Sequence, residues 1–187
     1  MHQLRFYQKQ SIKKIRAAFI KGKRKVLLVA PTGSGKTVIA AEMIRRVVEG
    51  DKRCIFVCHR RELIMQCSRK LHELGLNHGV IMAGKSPTPD ALIQVMSIQT
   101  YTARKENNDF IIPKADLIII DEAHRSVSHS FQTLIKNYPH SYFVGLTATP
   151  CTQNGKGLGD VYEELVETSN IQTLIQQKYL VPVRVFA

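Results

Sequence analysis

The chain has no tryptophan, and only 7% of its 187 residues are aromatic. It is also short of acid: 15 Asp and Glu stand against 27 Lys and Arg, a formal net charge of +12. No apolar run approaches the ~20 residues of a membrane-spanning helix. The start, Met1-His-Gln-Leu-Arg-Phe-Tyr-Gln8, has no apolar stretch followed by a cleavage site. These absences argue against a membrane protein or a secreted one, and we expect a cytoplasmic location. Cys54, Cys58, Cys67 and Cys151 show no C-x-x-C spacing, and His124 and His129 make an unconvincing zinc pair. Packed thiols are expected, with no disulfide and no structural metal.

What is present fits an ordinary globular domain. Hydrophobic residues make up 44% of the chain and charged residues 22%, at a length that can bury a sizeable core. Short apolar runs alternate with helical patterns, without internal repeats. This predicts an α/β fold, a mostly parallel sheet with helices on both faces. The expected strands are 25–30, 53–58, 78–82, 92–96, 117–121 and 141–146, the last completing the sheet. An opening helix carries Ile12, Ile15 and Phe19, and further helices are expected over 36–48, along Leu63, Cys67, Leu71 and Leu74, and around 129–137. A short helix follows strand 92–96. Arg104–Asp109 reads as a polar loop, Gly84–Asp90 as a turn, and Cys151–Asp160 as a mobile glycine-rich loop. Asn170 is placed to cap a last helix through about Lys178, and Val183–Ala187 reads as strand-like.

Two runs carry chemistry. Val26–Ala30 is a buried-strand pattern, followed by Pro31-Thr-Gly-Ser-Gly-Lys-Thr37 and a helix with Val38, Ile39, Met43, Ile44, Val47 and Val48 on one side. Strand, glycine loop and helix are the setting of a phosphate-binding loop. Backbone N–H groups of Gly33, Ser34, Gly35 and Lys36 can converge on phosphate oxygens at the positive end of the helix. Thr32 completes the expected loop contacts, Lys36 would reach the β- and γ-phosphates, and Thr37 would ligate Mg²⁺. Ala30 stands where G-x-x-x-x-G-K-[ST] usually begins with glycine. The second run, Asp116–Asp121, ends a strand in acid at the edge where open α/β sheets bind ligands. Asp121 can hold Mg²⁺, while Glu122 can orient and deprotonate an attacking water. ATP and Mg²⁺ are the expected cofactors. Basic clusters at Lys13-Lys14, Lys21–Lys25, Arg45-Arg46 and His59–Arg61 suit a polyanionic partner.

In this order the motifs resemble the first RecA-like motor domain of superfamily 2 helicases and translocases. Leu4-Arg-Phe-Tyr-Gln8 is similar to the adenine-reading element, which implies that Gln8 bonds the base with Arg5 near it. Ala30–Thr37 resembles motif I, Val57–Leu63 motif Ia, Val95–Thr100 motif Ib, Asp121-Glu-Ala-His124 the DEAH form of motif II, and Thr147-Ala-Thr149 motif III. The resemblance implies that His59, Arg60, Arg61, Ser97, Gln99 and Thr100 hold a nucleic-acid backbone. It also implies that His124, Thr147 and Thr149 couple the γ-phosphate to that grip.

Locally the runs look most like RadD-type repair helicases and the motor subunits of type I and type III restriction enzymes, which favours DNA over RNA. An RNA helicase, or a nucleotide-gated binding module that moves no strand, stays open. A small-molecule kinase or GTPase does not account for Gln8 or the later motifs. Residues 1–160 are expected to form the first motor domain and 161–187 an exit towards a second RecA-like domain bearing the arginine finger. By itself the chain would then bind nucleotide but turn it over weakly.

Overall fold

Runs of five apolar residues are too short for stable helices and suit strands buried on both faces. In a computed structural model, which describes residues 4–85, 88, 90–107, 112–152 and 155–181, they form that kind of strand. The order is α1 (Phe6–Ile20), β1 (Lys25–Val29), α2 (Lys36–Glu49), β2 (Cys54–Cys58), α3 (Arg61–Glu73), β3 (Gly79–Ile81), β4 (Ile93–Ser97) and α4 (Ile98–Glu106). There follow β5 (Leu117–Asp121), a 3₁₀ turn (Ala123–Arg125), α5 (His129–Asn137), β6 (Tyr142–Thr147), β7 (Glu164–Glu167) and α6 (Ile171–Gln176). The seven strands form one sheet in the order β3-β4-β2-β5-β6-β1-β7, and every pairing is parallel.

Alternate residues of each strand feed two apolar layers. Val26, Leu28, Phe56 and Ile119 pack with Ile12, Ile15, Ile39, Ile44 and Leu71 from α1, α2 and α3. Leu27, Ile55, Val57, Ile118 and Phe143 pack with Ile98, Tyr101, Phe131 and Leu134 from α4 and α5. Helices therefore cover both faces. Among the described residues no helix is long and apolar enough to cross a membrane. The four cysteines are free thiols, three of them buried, and burial pushes the Cys67 thiol up to about 12.

Three expectations need correction. The sheet does not end with β6. Glu164–Glu167 adds β7 beside β1, with Val26 to Val29 paired to Glu164 to Glu167, so the sheet continues past residue 160. Arg104 to Glu106 is helix, the last turn of α4, whose basic side chains suit the negative end of the helix. In the expected loop 151–160, of which residues 153 and 154 lie outside the described residues, Cys151 bridges Gly157, the Thr152 N–H donates to the Lys156 carbonyl at 2.8 Å, and Leu158 is buried. Asn170 caps α6 as expected, its side chain accepting the Thr173 N–H at 2.8 Å. Within the Gly84–Asp90 turn, residues 86, 87 and 89 lie outside the described residues, as do 108 and 109 of the polar loop and the strand-like ending 183–187.

Candidate functional site

The carboxyl ends of β1, β6 and β5 lie side by side and carry the phosphate loop, Thr147 and Asp121 respectively. The insertion of β6 places Thr147 between the other two. Ala30 donates its N–H to the Thr147 carbonyl at 2.9 Å, and Ala30 is fully buried, so its methyl fits where glycine is usual.

Gly33 and Gly35 have φ of 79° and 83°, the left-handed region that glycine enters without steric cost. A Cβ on Gly35 would lie 2.6 Å from Gln8 Nε2. The Ser34 N–H, expected on phosphate, instead closes the loop's own turn on the Pro31 carbonyl at 3.1 Å. Its hydroxyl does the same at 2.6 Å. Gly33, Gly35 and Lys36 remain for the role expected of them. Lys36 Nζ donates to the carbonyls of Ala30 at 3.1 Å and Pro31 at 3.3 Å. Burial lowers its pKa, while Asp121 and Glu122 pull the other way.

Burial raises the pKa of Asp121. The Glu122 N–H, donating to Asp121 Oδ1 at 3.1 Å, works against that shift. Glu122 has φ 56° and ψ 48°, a left-handed backbone that strains a residue with a side chain. It begins the 3₁₀ turn, and its carboxylate lies 3.4 Å from His124 Nε2. His124 Nδ1 is 3.5 Å from the Thr147 hydroxyl, a loose contact. The Thr147 hydroxyl donates to the Thr149 carbonyl at 2.8 Å and accepts the Thr149 N–H at 3.2 Å. A continuous series, Glu122 to His124 to Thr147 to Thr149, thus runs from the carboxylate into the run after β6. The oxygen donors of Thr37 and Asp121 suit a hard divalent cation such as Mg²⁺.

Gln8 and Arg5 are already engaged within the protein. Gln8 Nε2 donates to the Ser34 carbonyl at 3.2 Å, and its Oε1 accepts the Arg5 N–H at 3.0 Å. Tyr7, given no role within the run Leu4–Gln8, donates its hydroxyl to the same Ser34 carbonyl at 2.6 Å. The Arg5 guanidinium lies 4.9 Å from the centre of the Tyr179 ring, and that ring lies 5.4 Å from Tyr7. A Cβ on Gly33 would meet Leu180 at 3.2 Å. Nothing in the one-dimensional pattern linked residues 179–180 to the phosphate loop.

The six residues assigned to a strand track cluster at the carboxyl ends of β2 and β4. Gln99 Nε2 donates to the His59 carbonyl at 2.7 Å, and the Ser97 hydroxyl donates to Gln99 Oε1 at 2.9 Å. Ser97 is buried and also caps α4 by accepting the Thr100 N–H at 3.3 Å, so its hydroxyl positions Gln99 and Thr100. The Thr100 hydroxyl accepts the Ala83 N–H at 3.1 Å. Arg60 and Arg61 are exposed at the start of α3. Burial lowers the pKa of His59, with Arg125 and Arg60 adding to the shift. The other basic clusters are not one stripe. Arg45 and Arg46 are paired to Glu42 at 2.9 and 2.7 Å, and Lys21–Lys25 lies at the opposite edge of the sheet.

Residues 1–152 match the protein family described as type III restriction enzyme, res subunit. The chain is 28% identical over 163 residues to a 51.5 kDa protein of a Lactococcus phage, covering 86% of this chain and 32% of that protein. It is 31% identical over 134 residues to the type I restriction enzyme EcoKI endonuclease subunit of Escherichia coli, covering 65% and 12%. Its fold resembles the Hef helicase domain of Pyrococcus furiosus, with a TM-score of 0.74 and 21% identity over 94% of this chain and 40% of that one. The chain spans about a third or less of the length of these curated relatives.

Proposed function

The chain belongs to the type III restriction enzyme res-subunit family, as a RecA-like motor domain of superfamily 2 helicases, and on that premise we propose that it couples ATP hydrolysis to movement along DNA. The supporting observation is that the phosphate loop with Lys36 and the Asp121-Glu122 pair stand at the carboxyl ends of β1 and β5, on either side of Thr147 at the end of β6. In this reading the N–H groups of Gly33, Gly35 and Lys36, with Thr32 beside them, take the phosphates at the start of α2. Lys36 leaves the loop carbonyls for the β- and γ-phosphates. Thr37 and Asp121 would hold Mg²⁺, which supplies charge neutralisation at the phosphates. Glu122 aligns the water and takes its proton, and its strained backbone keeps the carboxylate directed by the turn.

His124 and Thr147 lie between Glu122 and Thr149, so a change at the γ-phosphate can be relayed through their contacts. Gln8 bonds the Ser34 carbonyl as it would read a base, which makes base recognition and loop shape one event. A second RecA-like domain supplies the arginine finger, a contribution worth ~10³–10⁵ in rate. DNA is favoured over RNA through the runs shared with restriction motors.

Equilibrium titration of a fluorescent ATP analogue, with Mg²⁺ and with EDTA, tests the nucleotide site. Lys36→Ala should lose binding. Glu122→Gln should bind but drop turnover about 10²–10⁴-fold. Undiminished turnover in Glu122→Gln would overturn the mechanism. Comparing stimulation by duplex DNA, single-stranded DNA and RNA tests the choice of strand.

A further inference from the structure

A cavity of about 400 Å³ opens between the proposed strand track and the turn that follows Glu122. His59 and Gln99 line it from the track, His124 and Arg125 from the turn, and Ser128, Ser130 and Thr152 add hydroxyls. Among the described residues, none of the phosphate loop lines it and no carboxylate does. Arg125 Nε and His59 Nδ1 are both buried without a hydrogen-bond partner among the described residues. Both residues line this cavity, and neither atom has a hydrogen bond within the described residues, which leaves bonding capacity beside it for something not in the chain. The chemistry of the wall says what that is. Cations, imidazoles and hydroxyls without an acid among them suit an anion, and a planar guanidinium suits phosphate oxygens in particular. Burial chiefly lowers the pKa of His59, with Arg125 and Arg60 adding to the shift and Glu122 opposing it.

The anion is further narrowed by position. Its lining comes from the segments that follow β2, β4, β5 and β6, and among the described residues none of it comes from the phosphate loop after β1, where Lys36 would hold a nucleotide phosphate.

We propose that this cavity is a subsite for one backbone phosphodiester of the bound nucleic-acid strand, with Arg125 as its principal contact. The proposal rests on the strand-track reading of His59 and Gln99. It adds a consequence: Arg125 closes the 3₁₀ turn that Glu122 opens, so strand occupancy and the carboxylate share three residues of backbone.

The test uses the 187-residue chain and a labelled single-stranded oligonucleotide, with affinity measured by fluorescence anisotropy across a salt series. Arg125→Gln should weaken binding about tenfold and reduce the slope of log affinity against log salt by about 0.7, the loss of one phosphate contact. Arg125→Lys should keep the slope. Ser130→Glu, which puts a carboxylate into the wall without removing the arginine, should weaken binding at least as much. Thermal melts confirm that each variant is folded. If the unaltered chain binds and both Arg125→Gln and Ser130→Glu keep its affinity and slope, this subsite is wrong and the track reading survives. If the unaltered chain binds no oligonucleotide at all, both readings fall.

Discussion

The Tyr7 hydroxyl donates to the Ser34 carbonyl at 2.6 Å, so the first turn of α1 holds the phosphate loop by its backbone. The same oxygen accepts from Gln8. Tyr7→Phe removes one of the two donors and should lower stability by about 1 kcal/mol, roughly 2–4 °C in Tm. Adding Gln8→Ala leaves the carbonyl with neither donor, and the double variant should lose more than the sum of the singles. Additive melts would show that the two contacts are independent.

Asp121 allows a sign test. Its folded pKa is raised, chiefly by burial, above an ordinary carboxylate value of 3.8. The folded state therefore holds the proton more tightly, a contribution that is full below pH 3.8 and lost as pH rises through the raised pKa. At neutral pH the ionised carboxylate costs the ligand-free chain stability. Asp121→Asn should raise Tm in EDTA at pH 7 and abolish any further rise on adding Mg²⁺ with nucleotide. A lower Tm in EDTA would contradict this account.

Gly145 lies in β6, two residues before Thr147. A Cβ there would fall on the Tyr162 hydroxyl and Cζ, and 2.7 Å from Cε1. Tyr162 is itself buried, so neither side can yield cheaply. Gly145→Ala should cost about 1–3 kcal/mol, read by urea unfolding, and Tyr162→Leu in the same chain should recover part of it. A neutral single variant would mean that the ring moves aside freely.

Gln99 joins the ends of β2 and β4 through the His59 carbonyl at 2.7 Å. Because Gln99 is exposed, Gln99→Ala should leave Tm within about 1–2 °C, since exposed substitutions seldom exceed 0.5 kcal/mol. Oligonucleotide affinity should nevertheless fall several-fold if that end of the sheet grips a strand. Equal affinity would remove Gln99 from the track.

The parts of this structure legible beforehand are those whose cause is local. Leu117–Ile120 and Cys54–Cys58 are apolar throughout because both their faces are covered, and each reads as a strand at sight. Glu164–Glu167 does not, since only Val166 of its four residues is buried and its place at the sheet edge is decided by β1. Arg104 to Glu106 is helical because Ser97 nucleates α4 a full turn and more upstream, a cause lying outside the polar run itself. In the candidate site the residue types were readable, including Lys36, Asp121, Glu122 and His124. Their partners were not. That Tyr7 and Gln8 share one carbonyl, or that Arg125 lines the cavity beside His59, follows from strand order, which no spacing encodes.

Leu180 packs where a side chain on Gly33 would stand, and Tyr179 lies against both Tyr7 and Arg5. The chain after α6 therefore works as a follower resting on the phosphate loop. If nucleotide entry widens that loop or draws Arg5 away, residues 179–180 are displaced with it, without any other contact being needed. Such a linkage would make the placement of Tyr179 and Leu180 a readout of what the phosphate loop holds.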